Sequence, residues 1–202
     1  MTVSPARGLL IVFEGLDQSG KQTQAERLKA AVEARGGTAV LLDFPSYETR
    51  LGKEIAAGLQ GLRDYAPDAM QLIYVANRYE KRAQIEKLLA EGVVVICDRY
   101  MASSIAYGEA QGLDGVWLRD VQKYLPAPDL TILLDIAPET AAGRKTANRD
   151  KYERDLALLS RVRESYHRQA RDGQREGWVK LDGERPKDDV AADVLAAVAP
   201  RL

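Results

Sequence analysis

Residues 14–24 are EGLDQSGKQTQ. Gly15, Gly20 and Lys21 fill three of the four fixed positions of G-x-x-x-x-G-K-[ST], a phosphate-binding loop. Gln22 stands at the fourth, where a Ser or Thr hydroxyl ordinarily meets Mg²⁺. In such a loop the glycines let backbone N–H groups turn onto an anion, and the helix N-terminus that follows adds its partial positive charge. Lys21 is then placed to bridge β- and γ-phosphates. The motif requires a strand before it and a helix after it. GLLIVFE (8–14) is a short apolar run suited to a strand buried on both faces, and residues 21–35 carry helical spacing at Ala25, Leu28, Ala31 and Val32 before Gly36 and Gly37 stop it.

The same alternation continues along the chain. TAVLLDF (38–44), VVVIC (93–97), LTILLDI (130–136) and GWVKL (177–181) are strand-like, while 67–90, 151–171 and 187–199 are helical in pattern. Pro67 opens the long 67–90 segment and Gly92 follows its end. Strands alternating with helices predict an α/β fold with a central five-stranded parallel sheet and helices on both faces. Ligands in such sheets gather at the carboxyl ends of the strands. No repeat or linker divides the chain, so residues 1–202 are expected to form a single domain.

Composition removes several classes of function. The chain has 202 residues, 46% hydrophobic and 29% charged, with a net charge of −1. That balance gives no electrostatic case for nucleic acid or for an anionic membrane. The apolar run Leu9–Phe13 is too short for a signal peptide and no run approaches a membrane span. The lone Cys97 allows no internal disulfide and fits a reducing compartment, so the expectation is cytoplasmic. Cys97 ends an apolar strand and is expected to pack in the interior, and His167, within a charged helical pattern, to lie at the surface.

The remaining strand ends carry further chemistry. Asp98-Arg99-Tyr100 follows strand 93–97, and an acid at the end of an apolar strand suits a carboxylate that orders Mg²⁺. Arg99 occupies the place where a water-activating base would sit in an ATPase, which favours transfer to a bound acceptor over hydrolysis. Phe44-Pro45-Ser46-Tyr47 follows strand 38–44 and serves equally as a proline turn with a packed aromatic. Tyr74, Asn77 and Arg78, at i, i+3 and i+4, share one helical face. They suit an aromatic base with a carbonyl edge, or a core aromatic beside a surface ion pair. RKTANRDKYER (144–154) holds five cations among eleven residues, as a solvated face or as a lid over a transferring phosphate.

FEGLDQSGK (13–21), FPSY (44–47), LIYVANRYE (72–80), DRYMASSIAY (98–107), LPAPDLTILLDI (125–136) and KYERD (151–155), in this order, resemble the thymidylate kinase family of P-loop nucleoside monophosphate kinases. The resemblance implies a P-loop kinase fold with a short mobile lid near 143–154, ATP as co-substrate, Mg²⁺ as cofactor, dTMP as acceptor and a homodimer. It implies that Gly15, Leu16, Asp17, Gln18, Ser19, Gly20, Lys21, Gln22, Thr23 and Arg144 meet ATP. GERPK (183–187) falls where similar kinases carry an adenine-contacting loop. Lys21, Asp98, Arg99 and the lid's Arg149 would carry the transfer, with Asp17 and Asp98 toward the metal. Phe44, Tyr47 and Ser104 would line the acceptor site, Tyr74 would stack on the base and Arg78 would reach its carbonyl. Tyr107 and Asp17 would meet the sugar, Arg99 the acceptor phosphate, and Tyr152 would approach with the lid. Tyr47 stands where many relatives carry a phosphate-binding arginine, and Gln18 where one subgroup carries a loop arginine, which shifts that charge to the lid. Two alternatives stay open: a kinase for another pyrimidine nucleotide or a deoxynucleoside, and a nucleotide-binding regulator with impaired catalysis. A guanine-type N-K-x-D motif is absent, which argues against a signalling GTPase.

Overall fold

The computed structural model describes residues 7–144, 152, 155–172 and 177–202. Five parallel strands, β1 (Leu10–Glu14), β2 (Ala39–Asp43), β3 (Val94–Asp98), β4 (Leu130–Asp135) and β5 (Trp178–Asp182), form one sheet in the order β2-β3-β1-β4-β5. β1 lies at the centre, with Val12 beside Cys97 on one side and beside Thr131 on the other. Its alternate residues feed two cores, because side chains along a strand point to opposite faces. Ile11 and Phe13 pack with Ala25, Leu28 and Val32 of α1 (Lys21–Glu33) and Val190 and Val194 of α8 (Lys187–Val198). Leu10 and Val12 pack on the other face with Ile85 and Leu89 of α3 (Pro67–Ala90). The expectation of strands apolar on both faces holds for β1, β3 and β4, whereas the edge strands β2 and β5 are only partly buried.

The helix bounds follow local chemistry. Pro67 takes the first helical position of α3, and Gly92 ends it with φ +78°, its N–H bonded to the Leu89 carbonyl. α7 (Leu156–Asp172) begins later than the pattern over 151–171 suggests, because Asp155 caps it: the Leu158 N–H donates to Asp155 Oδ1 at 2.9 Å. Four shorter helices escaped the sequence reading: α2 (Arg50–Leu59), α4 (Met101–Ala110), α5 (Gly115–Asp120) and α6 (Pro138–Arg144). Two of them carried legible caps, Thr49 accepting from the Gly52 N–H and Asp114 from the Val116 N–H. α4 and α7 pack together over the sheet around Ala102, Ala106, Leu159 and Val162. His167 lies at the surface only in part, with Nε2 2.9 Å from Asp135 Oδ1. Cys97 is fully buried, as expected. The basic segment expected to form a lid, with Arg149, Lys151 and Glu153, lies outside the described residues.

All five strands end on an acid: Glu14, Asp43, Asp98, Asp135 and Asp182. Because the strands are parallel, these carboxylates share one edge of the sheet. Their partners divide the labour. Asp135 takes a two-pronged bond from Arg163, and Asp182 accepts from the Glu184 N–H. Glu14 is fully buried and accepts four hydrogen bonds, while Asp98 keeps one buried oxygen, Oδ1, without a partner among the described residues.

Candidate active site

The phosphate loop joins β1 to α1 through backbone that ordinary residues avoid. Gly15, Gln18 and Gly20 have φ of +138°, +63° and +93°. At Gly15 a Cβ would also come within 2.4 Å of the Leu134 carbonyl oxygen, so the loop lies hard against β4. Lys21 is buried, and its ammonium folds back to donate to the Leu16 carbonyl at 2.8 Å. Burial, and then the charge of Arg99, lowers the Lys21 ammonium below its ordinary value, against the pull of Asp98 and Asp17. Gln22 and Thr23 are exposed, and the Gln22 amide donates to Glu26 one turn on, at 3.1 Å. Arg144 spans the donor side, giving one hydrogen bond to the Gln18 carbonyl at 3.0 Å and one to the Gly183 carbonyl at 3.1 Å. It thereby ties the phosphate loop to the turn between β5 and α8.

On the other side of the loop lies an open cleft. All nine residues assigned to the acceptor by resemblance line it: Asp17, Phe44, Tyr47, Tyr74, Arg78, Arg99, Ser104, Tyr107 and Tyr152. They come from β1's loop, the segment after β2, helix α3, the turn after β3, helix α4 and the stretch before α7. Pro45, Leu59, Gln71 and Ser103 line it too, and the sequence reading missed them. Leu59 and Ser103 lie on two of the short helices that the patterns did not reveal. Arg78 reaches the floor of the cleft, where its guanidinium donates to Ser104 Oγ at 2.7 Å. Its Nε is buried without a partner among the described residues, and burial lowers its charge affinity below the usual arginine value. Asn77, which sequence spacing offered as a base-reading amide, does other work. It is buried, accepts from the Ser46 N–H at 2.9 Å and donates to Thr49 Oγ1 at 2.9 Å. α3 thus fixes the Phe44–Tyr47 segment against the cleft through Asn77.

Loop and cleft meet at Asp17 and Arg99. Arg99 donates to Asp17 Oδ1 at 2.8 Å, and the Tyr107 hydroxyl donates to Asp17 Oδ2 at 3.1 Å. Burial alone would raise the Asp17 carboxyl, but Arg99 and Lys21 beside it hold it far below the carboxylate range. Burial likewise opposes the charge on Arg99, and Asp17 reverses that, lifting it well above the ordinary arginine value. The guanidinium lies 5.5 Å from the centre of the Tyr107 ring, a cation–π contact, and Tyr107 meets Tyr152 edge to face. Arg99 itself has φ +65°, a left-handed conformation that costs about 1 kcal/mol for a non-glycine residue and turns the chain sharply from β3 into α4. That turn aims the guanidinium across the sheet edge at the loop. Among the described residues, no group of three or more His, Cys, Asp or Glu side chains is gathered to hold a metal, and no helix is long and apolar enough to cross a membrane.

A phosphate loop on the central strand, facing a second cleft across a cation, defines a P-loop phosphotransferase of the kinase type. The comparisons with known proteins narrow the class. The model of the family described as thymidylate kinase matches residues 13–194, and the chain belongs to that family. A thymidylate kinase of Caenorhabditis elegans is 39% identical over 162 residues, covering 76% of this chain and 74% of its own. One of Schizosaccharomyces pombe is 34% identical over 195 residues, covering 96% and 92%. The solved structure of thymidylate kinase from Candida albicans aligns with a TM-score of 0.86 at 30% identity, over 96% of this chain and 92% of that one.

Proposed function

We propose that this chain, acting as one catalytic domain in the cytoplasm, transfers the γ-phosphoryl group of ATP to the 5′-phosphate of dTMP, giving ADP and dTDP on the way to dTTP. The observation that carries this reading is Arg99, anchored at the junction of the phosphate loop and the nine-residue cleft. Both substrates are anions, so the barrier is dominated by repulsion between phosphates. Cations fixed before the reaction offset it without reorganising. Lys21 leaves the Leu16 carbonyl for the donor phosphates, Arg99 draws in the acceptor phosphate, and Arg149, outside the described residues, is the further cation we assign to the transfer. Gly15, Leu16, Gln18, Ser19, Gly20, Gln22 and Thr23 surround the triphosphate as loop and first helical turn, and Arg144 flanks the adenosine. In the acceptor cleft Tyr74 stacks on the base, Arg78 Nε–H meets a base carbonyl, and Ser104 and Phe44 enclose its edge. Tyr107 and Asp17 take the sugar. Tyr47 donates a hydroxyl where a cation would bind phosphate more strongly. The acceptor oxygen is already ionised at neutral pH, so no general base is needed.

The residues fit one divalent cation. Asp98, with Oδ1 buried and unpaired among the described residues, is the side chain we assign to Mg²⁺. Asp17, the other candidate, has both oxygens engaged by Arg99 and Tyr107, and Gln22 is exposed and bonded to Glu26. Bound with ATP, the ion supplies positive charge to the phosphates. We also propose a homodimer, as the resemblance implies; Leu72, Val116 and Tyr124 are exposed apolar surface that such pairing could cover, and sedimentation equilibrium reads the mass.

ADP release measured with and without dTMP tests the reading. Release that depends on dTMP supports a kinase. Equal release in both, or none, fits hydrolysis or a binding protein instead. The lowered Lys21 adds a pH signature. A base whose folded-state value is depressed loses its charge earlier on the alkaline side. kcat/KM for ATP, which reports the free enzyme, should therefore begin to fall at pH values below the ordinary lysine value of 10.5. The same shift makes the charged lysine a stability cost that eases as pH rises towards 10.5. A profile flat up to that value contradicts the assignment.

A further inference from the structure

Glu14 ends the central strand, is 0% exposed and does not itself line the cleft, yet every side-chain hydrogen bond it makes leads towards Arg99. Its Oε1 accepts from the Tyr100 N–H at 2.9 Å and from the Ser103 N–H at 3.2 Å. The first is the amide directly after Arg99 and the second lies in the first turn of α4, so this oxygen pins the start of α4 and with it the left-handed turn at Arg99. Its Oε2 accepts from Ser103 Oγ at 2.6 Å and from the Tyr166 hydroxyl at 3.0 Å. Those two hydroxyls, 2.9 Å apart, accept in turn from Arg99 Nη1, at 3.1 and 3.3 Å.

The polarity of this chain is forced. A guanidinium has donors only, and a hydroxyl has one proton. To accept from Arg99, each hydroxyl must send its proton away, to Glu14 or through the other hydroxyl to Glu14. Only an acceptor at the end of the chain allows both bonds to Arg99. Burial and the neighbouring Glu14 also push the Tyr166 phenol up, which keeps it a donor. On the reading of Arg99 given above, we propose that Glu14 is a positioning residue for phosphoryl transfer: it orients the Ser103 and Tyr166 hydroxyls so that their lone pairs hold one edge of the Arg99 guanidinium, while Asp17 holds the other.

Glu14→Gln tests this with little change of volume. The amide oxygen can still take the two backbone N–H groups, but its NH₂ then faces the hydroxyls and turns their protons towards Arg99, donor against donor. We expect kcat for dTMP phosphorylation to fall about 30-fold, with KM for ATP changed less than about threefold. In an Arg99→Ala background the same substitution should change kcat less than about threefold, because the group it orients is gone. A similar fold-loss in both backgrounds, or a kcat near normal in the otherwise wild-type protein, overturns the proposal. Tyr166→Phe keeps the test alive should Glu14→Gln fail to fold. It removes one hydroxyl, and kcat should drop about fivefold, again only when Arg99 is present; an equal drop without Arg99 overturns the proposal. Wild-type protein that makes no dTDP would overturn the parent reading and this one together, whereas active wild type with an unaffected Glu14→Gln removes this one alone.

Discussion

Arg99→Ala lowers kcat for phosphoryl transfer to dTMP by about 10²–10³-fold, or about 2.7–4 kcal/mol of barrier, the range for losing one preorganised donor to transition-state charge. The size follows from how the side chain is held. Arg99 is gripped on one edge by Asp17 at 2.8 Å and on the other by the Ser103 and Tyr166 hydroxyls, with the Tyr107 ring beneath it. A cation fixed this way does not have to be recruited at the moment of transfer. Folding should suffer much less than rate. Asp17 opens onto the cleft, keeps the Tyr107 hydroxyl bond, and can regain water when its partner is removed. The left-handed turn strains alanine about as much as arginine. The checks are steady-state kcat beside a thermal midpoint. A folded Arg99→Ala protein within about threefold of the parent rate would remove Arg99 from the chemistry.

Gly15→Ala should be nearly as damaging, for a reason of space and not of charge. A methyl there would meet the Leu134 carbonyl oxygen at 2.4 Å, and φ of +138° already excludes most side chains. Strand β4 is buried and cannot yield, so the loop must lift. A displacement near 1 Å of a positioning element is worth about 10²-fold in rate, and kcat/KM for ATP should fall by at least about that factor. Gly20→Ala is the informative companion. Its Cβ would meet nothing within 4 Å among the described residues, leaving only the backbone cost at φ +93°, about 1 kcal/mol. The ratio of the two losses, read from ATP kinetics and nucleotide titrations, separates contact from backbone strain. Equal losses would mean that the Leu134 contact does not shape the loop.

Local signals carried much of this architecture. The phosphate motif was legible because its strand and helix are contiguous with it, and α3 was legible because proline and glycine bracket a long periodic segment. Helices of six to ten residues, such as α5 and α4, leave too little periodicity to read, and two of them add residues to the cleft. The harder losses are contacts across the chain. Glu14 lay in full view inside the loop motif, but its hydroxyl partners are 89 and 152 residues away. Asn77 looked like a base contact from its helical face, while its bond to the Ser46 amide spans 31 residues. Gln22 raised a question about the metal from its place in the motif; its exposure and its bond to Glu26 turn attention to Asp98. A buried partner is set by the fold, and spacing along one helix cannot reveal it.

The most direct test of the central claim is an acceptor panel: initial rates with ATP and Mg²⁺ for dTMP, dUMP, UMP, dCMP and thymidine, with products identified by mass. The account predicts the highest kcat/KM for dTMP, with dTDP as the product, and no transfer to thymidine, which lacks the phosphate that Arg99 draws in. Faster phosphorylation of thymidine or of a ribonucleotide than of dTMP would contradict it.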